Sequence, residues 1–175
     1  INGTARLFER SLSVYEEIAK KDGISFVKDK NSVTVCGKLK GGEYKVPGDI
    51  SSQFISGLLF ALPLCKEDSL IRIVSPIESR SYIDMTLDVL KSFGIETDFT
   101  DNTVKIKASN GYISPENYTV EGDWSNGAFF ICADKIKSNN VKCNNLTLDS
   151  VQGDKAVAKI AGKITSANEK EHIKI

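Results

Sequence analysis

Residues 46–64 read VPGDISSQFISGLLFALPL, a turn followed by an apolar helix. Three polar side chains, Ser51, Ser52 and Gln53, stand where that helix should begin. The first four N–H groups of a helix have no partner within it, and the helix dipole favours an anion at that end. A cap needs only one polar side chain. The stretch therefore leaves two interpretations, a helix capped by Asp49 or Ser51 or a helix start that binds an anion.

The same arrangement recurs along the chain, because residues 10–54 and 80–129 can be aligned. Each copy opens with Arg-Ser and continues as an amphipathic helix that ends at a glycine, Gly23 or Gly94, as expected for a left-handed cap. Two short strands, a third strand leading into Val-x-Gly-Asp, a second helix and a further strand follow. This order is a circular permutation of a βαβαββ unit, which predicts an α/β (α+β) protein of tandem units.

The predicted strands are short in both copies. They cover 24–28, 33–36, a segment leading into Val46–Asp49 and 69–74 in the first copy, and 95–99, 104–106, a segment leading into Val120–Asp123 and 140–148 in the second. A third copy begins near residue 149 with a helix, and residues 172–175 could add a strand. We therefore predict two tandem units over 1–150 and the start of a further, truncated unit over 151–175.

Composition narrows the classes of function. The 175 residues carry 23 basic and 23 acidic side chains, so the chain has no basic surface that would indicate a nucleic-acid partner. Without an apolar run of about 18 residues we expect no membrane span. The four cysteines lack metal or redox spacing and are predicted to be buried free thiols. Trp124 is predicted to lie in the core or an interface, and the lone His172 receives no role. We find no metal cluster, P-loop or catalytic triad motif.

Only four of the basic residues are arginines, and three of them lie where the two copies open. Arginine binds phosphate or carboxylate through a planar fork of donors. Arg80 stands beside Ser79 and Tyr82 at a predicted helix start. Arg6 and Arg10 are four residues apart and would share one face of a helix. Each group also has a plainer interpretation, as solvated charges or a tyrosine that packs on the core.

Several motifs occur in an order that resembles the 3-phosphoshikimate 1-carboxyvinyltransferase (EPSP synthase) family. They are GTARLFERS, GDISSQFISGLLFALPL, SRSYIDMTLDVLKSFGI, VEGDWSNGAFF and SVQGD. The resemblance covers nearly the whole chain, and Ser-Ser-Gln-Phe separates the family from its sister, UDP-N-acetylglucosamine enolpyruvyl transferase. It implies an inside-out barrel fold of two lobes, each built from three βαβαββ units. This chain would hold an incomplete set of units, with the crossover between lobes near 121–123.

The resemblance also implies a function. The family transfers an enolpyruvyl group from phosphoenolpyruvate to the 5-hydroxyl of shikimate 3-phosphate, in chorismate and aromatic amino acid biosynthesis. It implies a cytoplasmic enzyme that needs no cofactor and is monomeric at full length. The residues implied to contact shikimate 3-phosphate are Ser51, Ser52, Gln53, Ser79, Arg80 and Tyr82, and those implied to contact phosphoenolpyruvate are Arg10 and Gln53. Ser11 and Ser81 replace prolines that the family usually has, which implies looser local geometry.

The family's acid–base segments have no counterpart in these residues, so we expect no catalytic residue here and interpret the chain as a central fragment of the enzyme. A different class of function is a non-catalytic binding module that reuses the fold.

The first testable expectation is that the isolated 175-residue chain has no measurable transferase activity. The reaction needs proton transfer to the methylene carbon and from the hydroxyl, and the chain shows no group for either step. A coupled assay of phosphate release would check this. Turnover near the rate of a full-length enzyme would contradict it.

Overall fold

A computed structural model describes residues 1–137 and 140–168, with side chains up to residue 162 in the last helix. The chain divides into two compact units, Ile1–Pro115 and Glu116–Ile175. The predicted organisation into 1–150 and 151–175, with a crossover near 121–123, stays a prediction. The strand suggested for residues 172–175 lies outside the described residues.

The first unit combines four helices with six strands. The helices are α1 (Ala5–Phe8), α2 (Ser13–Asp22), α3 (Ser52–Ala61) and α4 (Arg80–Ser92), and a 3-10 turn, Leu62–Leu64, extends α3. The strands are β1 (Ser25–Lys28), β2 (Val33–Cys36), β3 (Gly42–Val46), β4 (Ser69–Ile73), β5 (Thr97–Thr100) and β6 (Thr103–Ile106). β1 and β2 form an antiparallel hairpin. The other four make a sheet in the order β3-β4-β6-β5, in which only β3 and β4 run parallel.

The four-stranded sheet is apolar on one face and charged on the other. One row of cross-strand neighbours, Tyr44, Ile71, Val104 and Phe99, crosses all four strands on the inner face. Residues from α2, α3 and α4 pack on this face and form a single buried cluster with it. The outer face carries ion pairs between neighbouring strands, Arg72–Glu43 at 2.7 Å and Lys105–Asp98 at 3.6 Å. Alternation of this kind is typical of a sheet covered on one side only.

Both predicted glycine caps are confirmed. Gly23 follows α2 with φ 72° and ψ 30°, and Gly94 follows α4 with φ 77°. An L residue is disfavoured in this left-handed region, which explains why glycine ends both helices.

A buried carboxylate holds the end of α2 against the sheet. Asp22 is 6% exposed, and its Oδ2 accepts from the Lys40 N–H at 3.0 Å. The Tyr44 hydroxyl lies 2.7 Å from the same oxygen, and the Lys21 Nζ lies 3.7 Å from the centre of the Tyr44 ring. Because the Lys40 N–H and the Tyr44 hydroxyl belong to other segments, Asp22 ties α2 to the loop after β2 and to β3.

The second unit contains α5 (Trp124–Ile136), a 3-10 turn (Gly153–Lys155) and α6 (Ala156–Asn168). The Asp123 side chain caps α5, accepting from the Ser125 N–H at 2.8 Å. Trp124 is buried, and its Nε1–H donates to the Thr147 carbonyl at 3.0 Å. This confirms its predicted place in a core.

Two predicted strands of the second copy are wrong. Neither the segment leading into Val120–Asp123 nor residues 140–148 forms a strand. Residues 120–123 do lie beside 140–148, because the Gly122 N–H donates to the Asn145 carbonyl at 2.7 Å. The Asn145 side-chain amide donates to the Val120 carbonyl at 2.9 Å. β3 and β4 pair at five successive positions and β4 also pairs with β6, whereas the described part of the second unit offers these segments no further strand. A β-strand needs repeated backbone pairing with a neighbouring strand, so alternating apolar residues in the sequence were not sufficient to predict one here.

The predicted burial of the cysteines is also wrong. All four are free, but Cys36 and Cys132 are exposed and Cys65 and Cys143 are half-buried. Cys36 lies in β2 and Cys132 in α5, whereas Cys65 and Cys143 lie outside the helices and strands. Among the described residues, no helix combines the length and apolar character needed to cross a membrane.

We expect the Asp22 tie to weaken in acid. Burial favours the neutral acid, but the Lys40 N–H, the Tyr44 hydroxyl and the Lys21 charge outweigh it, so the pKa of Asp22 lies below its ordinary value. A carboxylate with a lowered folded-state pKa contributes stability above the unfolded-state pKa and loses it as pH falls through the folded-state pKa. Asp22→Asn should lower the free energy of unfolding at neutral pH by about 1–3 kcal/mol and flatten its acid dependence.

Denaturant titrations across the acid range would measure both effects. Asp98→Asn is the matched control, because its exposed ion pair with Lys105 should contribute at most about 1 kcal/mol. Equal losses in the two variants would argue against a special role for Asp22.

Candidate functional site

The parallel pairing of β3 and β4 brings the starts of α3 and α4 to one edge of the sheet. Each helix follows its strand, and parallel strands end at the same edge. Backbone hydrogen bonds continue the pairing beyond the strands: the Val74 N–H donates to the Val46 carbonyl at 3.1 Å, and the Glu78 N–H to the Gly48 carbonyl at 3.4 Å. The two helix starts are therefore direct neighbours.

A serine fixes the turn before α3. The Ser75 Oγ accepts from the Gly48 N–H at 2.8 Å and donates to the Asp49 Oδ1 at 2.6 Å. A Cβ on Gly48 would lie 2.8 Å from the Ile73 Cγ2, so glycine allows this close approach. Of the two caps that the sequence suggested for α3, Asp49 is wrong, because its carboxylate accepts from the Ser75 hydroxyl instead. No local pattern in the sequence indicates this bond, because Asp49 and Ser75 are 26 positions apart.

The start of α3 carries one capping serine and two polar side chains that the fold does not use. Ser51 is the cap, and its Oγ accepts from the Gln53 N–H at 3.2 Å. The hydroxyl proton of Ser51 remains available to a ligand. Ser52 is only 9% exposed, yet its hydroxyl bonds to no described residue. Gln53 is exposed, and its amide likewise has no partner in the part of the chain that the structure describes.

The start of α4 is similar except for its arginine. Ser79 occupies the cap position without making a side-chain capping bond, and Tyr82 is half exposed. The Arg80 Nε donates to the Asp84 Oδ1 at 2.7 Å, and its guanidinium lies 3.9 Å from the centre of the Phe99 ring. The ion pair between Arg80 and Asp84 was not predicted from the sequence, although the i, i+4 spacing of the two residues indicates it. The pair orients Arg80 and leaves its terminal nitrogens for an anion.

A contact between the two helices aligns these groups. The Ser56 and Thr86 hydroxyls lie 2.8 Å apart where α3 meets α4. Ser52 precedes Ser56 by four residues and Tyr82 precedes Thr86 by four, so both lie one turn nearer the helix starts on the facing sides. The residues expected to contact shikimate 3-phosphate therefore lie along the two adjacent helix starts.

A cavity of about 780 Å³ brings Arg10 together with Ser51 and Gln53. Arg10 is exposed, makes no hydrogen bond or ion pair with a described residue, and is the one charged side chain in the lining. The remaining wall is mainly apolar and comes from α1, α2, the β1–β2 hairpin and α3. Ser52, Ser79, Arg80 and Tyr82 do not line this cavity. The predicted groups thus fall into two sets that meet at the start of α3.

The suggestion that Arg6 and Arg10 share a helix face is wrong. α1 ends at Phe8, and Arg10 lies in the link before α2. In that link the Ser11 Oγ accepts from the Ser13 N–H at 3.3 Å and lies 2.9 Å from the Ser13 Oγ. These bonds restrain the segment beside Arg10 where the family usually has proline.

Comparisons with known proteins agree with this architecture. The family model of EPSP synthase (3-phosphoshikimate 1-carboxyvinyltransferase) matches residues 22–174. A 3-phosphoshikimate 1-carboxyvinyltransferase of Clostridium novyi is 42% identical over 93% of this chain and 38% of its own length. One from Clostridium botulinum is 46% identical over 90% of this chain and 37% of its own length.

Among solved structures, an EPSP synthase from Acinetobacter baumannii has a TM-score of 0.60 at 24% identity, over 77% of this chain and 30% of that one. It supports the predicted inside-out fold. The chain spans well under half the length of the curated relatives it matches, so only part of the full set of units is present. The match of the family model to most of the chain shows that the chain belongs to the EPSP synthase (3-phosphoshikimate 1-carboxyvinyltransferase) family.

Proposed function

We propose that this chain forms part of the substrate-binding wall of a 3-phosphoshikimate 1-carboxyvinyltransferase. The whole enzyme would transfer enolpyruvyl from phosphoenolpyruvate to the 5-hydroxyl of shikimate 3-phosphate and release phosphate. The observation that carries the proposal is the pair of adjacent helix starts, where the Ser52 hydroxyl has no hydrogen-bond partner among the described residues although the residue is only 9% exposed. The hydroxyl of Ser52 is not sealed in the core, so it can donate to a ligand at the helix start.

The chemistry of a phosphate ester suits this edge of the sheet. Two helix dipoles point their positive ends toward it, and the Ser51, Ser52 and Ser79 hydroxyls can all donate to phosphate oxygens. The terminal nitrogens of Arg80 add a positive charge held in place by Asp84. Tyr82, half exposed beside them, offers a ring face and a hydroxyl to the cyclic part of the substrate.

Phosphoenolpyruvate would bind on the other side of the same helix start. Arg10 has no carboxylate partner among the described residues, so its guanidinium can bind an incoming carboxylate or phosphate in bidentate fashion. Gln53 lines the cavity with Arg10 and belongs to the same first turn as Ser52. It can therefore contact both substrates and hold them side by side.

These residues supply binding and orientation and no acid–base step. Proton transfer to the methylene carbon and from the attacking hydroxyl requires groups matched in pKa to the reacting atoms. Serine, glutamine and arginine side chains act in this proposal as hydrogen-bond donors to the substrates. A cytoplasmic enzyme that is monomeric at full length is part of the same proposal and rests on the family resemblance alone.

A competition titration tests the identity of the ligand. Shikimate 3-phosphate should bind the whole natural chain, and UDP-N-acetylglucosamine should fail to displace it, because the serine-lined helix starts fit a compact phosphate monoester. Calorimetry with each compound alone and in competition would measure this. Displacement by the nucleotide sugar would favour the sister transferase, and binding of neither compound would favour a non-catalytic module.

A single substitution tests the site itself. Ser52→Ala should weaken binding of shikimate 3-phosphate by about 1–3 kcal/mol, the scale of a lost hydrogen bond to a charged group. The free energy of unfolding should change little, because Ser51 and not Ser52 provides the cap. Ser92→Ala, at the far end of α4, is the matched control and should leave binding unchanged. Unchanged binding by the Ser52 variant would remove Ser52 from the site.

A further inference from the structure

Tyr15 links the segment that carries Arg10 to the helix that carries Ser51 and Gln53. It lies on α2, five residues after Arg10, and lines the same cavity as Arg10, Ser51 and Gln53. Its ring packs edge-on against Phe54, with centroids 4.9 Å apart and an interplanar angle of 73°. Its hydroxyl bonds to no residue that the structure describes, so the hydroxyl serves no evident polar role.

The ring reaches α3 where a glycine leaves a notch. A Cβ on Gly57 would lie 2.4 Å from the Tyr15 Oη but 3.5 Å from its Cζ, so only the hydroxyl occupies the space that a methyl group would need. Glycine inside a helix costs about 1 kcal/mol relative to alanine. Gly57 lowers the stability of α3 itself, and the close packing of α2 on α3 that the notch allows offsets this loss.

The position of the notch connects this packing to the site. Gly57 follows Gln53 by four residues, so the two lie on the same side of α3, one turn apart. α2 is thereby held against α3 one turn below the polar helix start. Any outward shift of α2 carries the adjoining Arg10 segment away from Ser51 and Gln53.

We propose that Tyr15 is a positioning residue that sets the distance between Arg10 and the start of α3. The proposal rests on the proposed function, in which Arg10 and Gln53 bind phosphoenolpyruvate. It predicts that displacing the Tyr15 ring weakens the binding of phosphoenolpyruvate and leaves the binding of shikimate 3-phosphate nearly unchanged. Shikimate 3-phosphate is held by α3 and α4, whose own contact through Ser56 and Thr86 does not involve α2.

A pair of variants in the whole natural chain tests this directly. Gly57→Ala should push the ring outward and raise the Kd for phosphoenolpyruvate about tenfold, measured by calorimetry with shikimate 3-phosphate saturating. The Kd for shikimate 3-phosphate should stay within about twofold, because its residues do not move. The double variant Tyr15→Phe/Gly57→Ala removes the clashing hydroxyl and should return both affinities to the wild-type range. Gly162→Ala is the matched control, since a Cβ there meets nothing within 4 Å.

The outcomes separate the two proposals. Wild-type protein that binds neither substrate overturns the proposed function. Wild-type binding that Gly57→Ala leaves unchanged overturns the role of Tyr15, as does equal loss of both substrates. If Gly57→Ala fails to fold, Tyr15→Leu removes the ring without adding a clash. That variant should again weaken the binding of phosphoenolpyruvate and leave the binding of shikimate 3-phosphate unchanged. Weaker binding of shikimate 3-phosphate with unchanged binding of phosphoenolpyruvate would refute the proposal.

Discussion

The parallel pairing of β3 with β4 is the constraint on which the first unit depends. Because both strands run in one direction, the helix after each begins at the same edge, and the edge collects two sets of unpaired N–H groups. An antiparallel pair would place the two starts at opposite edges. The continuation of the pairing through Val74 and Glu78 fixes the spacing of the starts, so the geometry of the candidate site follows from backbone pairing before any side chain is considered.

The sheet is covered on one face only, and this determines which strands and helices could be predicted from the spacing of apolar residues. Period-two alternation showed the strands of the first unit, and three- and four-residue spacing showed α2 and α4, because each element has one buried and one solvated side. The helix ends at Gly23 and Gly94 could also be predicted, because the left-handed conformation of the cap favours glycine. The identity of Ser51, Ser52, Gln53, Ser79 and Tyr82 as a polar group at helix starts also followed from the sequence.

What the sequence did not reveal depends on partners far away along the chain. The strands predicted before Val120–Asp123 and over 140–148 required a neighbouring strand to pair with, and alternation in the sequence alone cannot supply one. The bond between Asp49 and Ser75 joins residues 26 positions apart and removed the expected cap. The placement of Arg10 in a cavity with Ser51 and Gln53 required α1 to end before it, a boundary with no strong sequence signal.

The two Gly-Asp turns show how equivalent positions of a repeat can start a helix in two different ways. In the second copy Asp123 caps α5 directly, and the helix begins at the next residue with Trp124 buried. In the first copy Ser75 holds Asp49, so α3 begins three residues after the aspartate and Ser51 takes over the cap. This later start places the unpaired N–H groups at Ser52 and its neighbours, beside hydroxyls that can donate to an anion. A cap and the proposed anion contact are therefore compatible at Ser51, because a serine hydroxyl accepts from the helix while its proton remains free to donate.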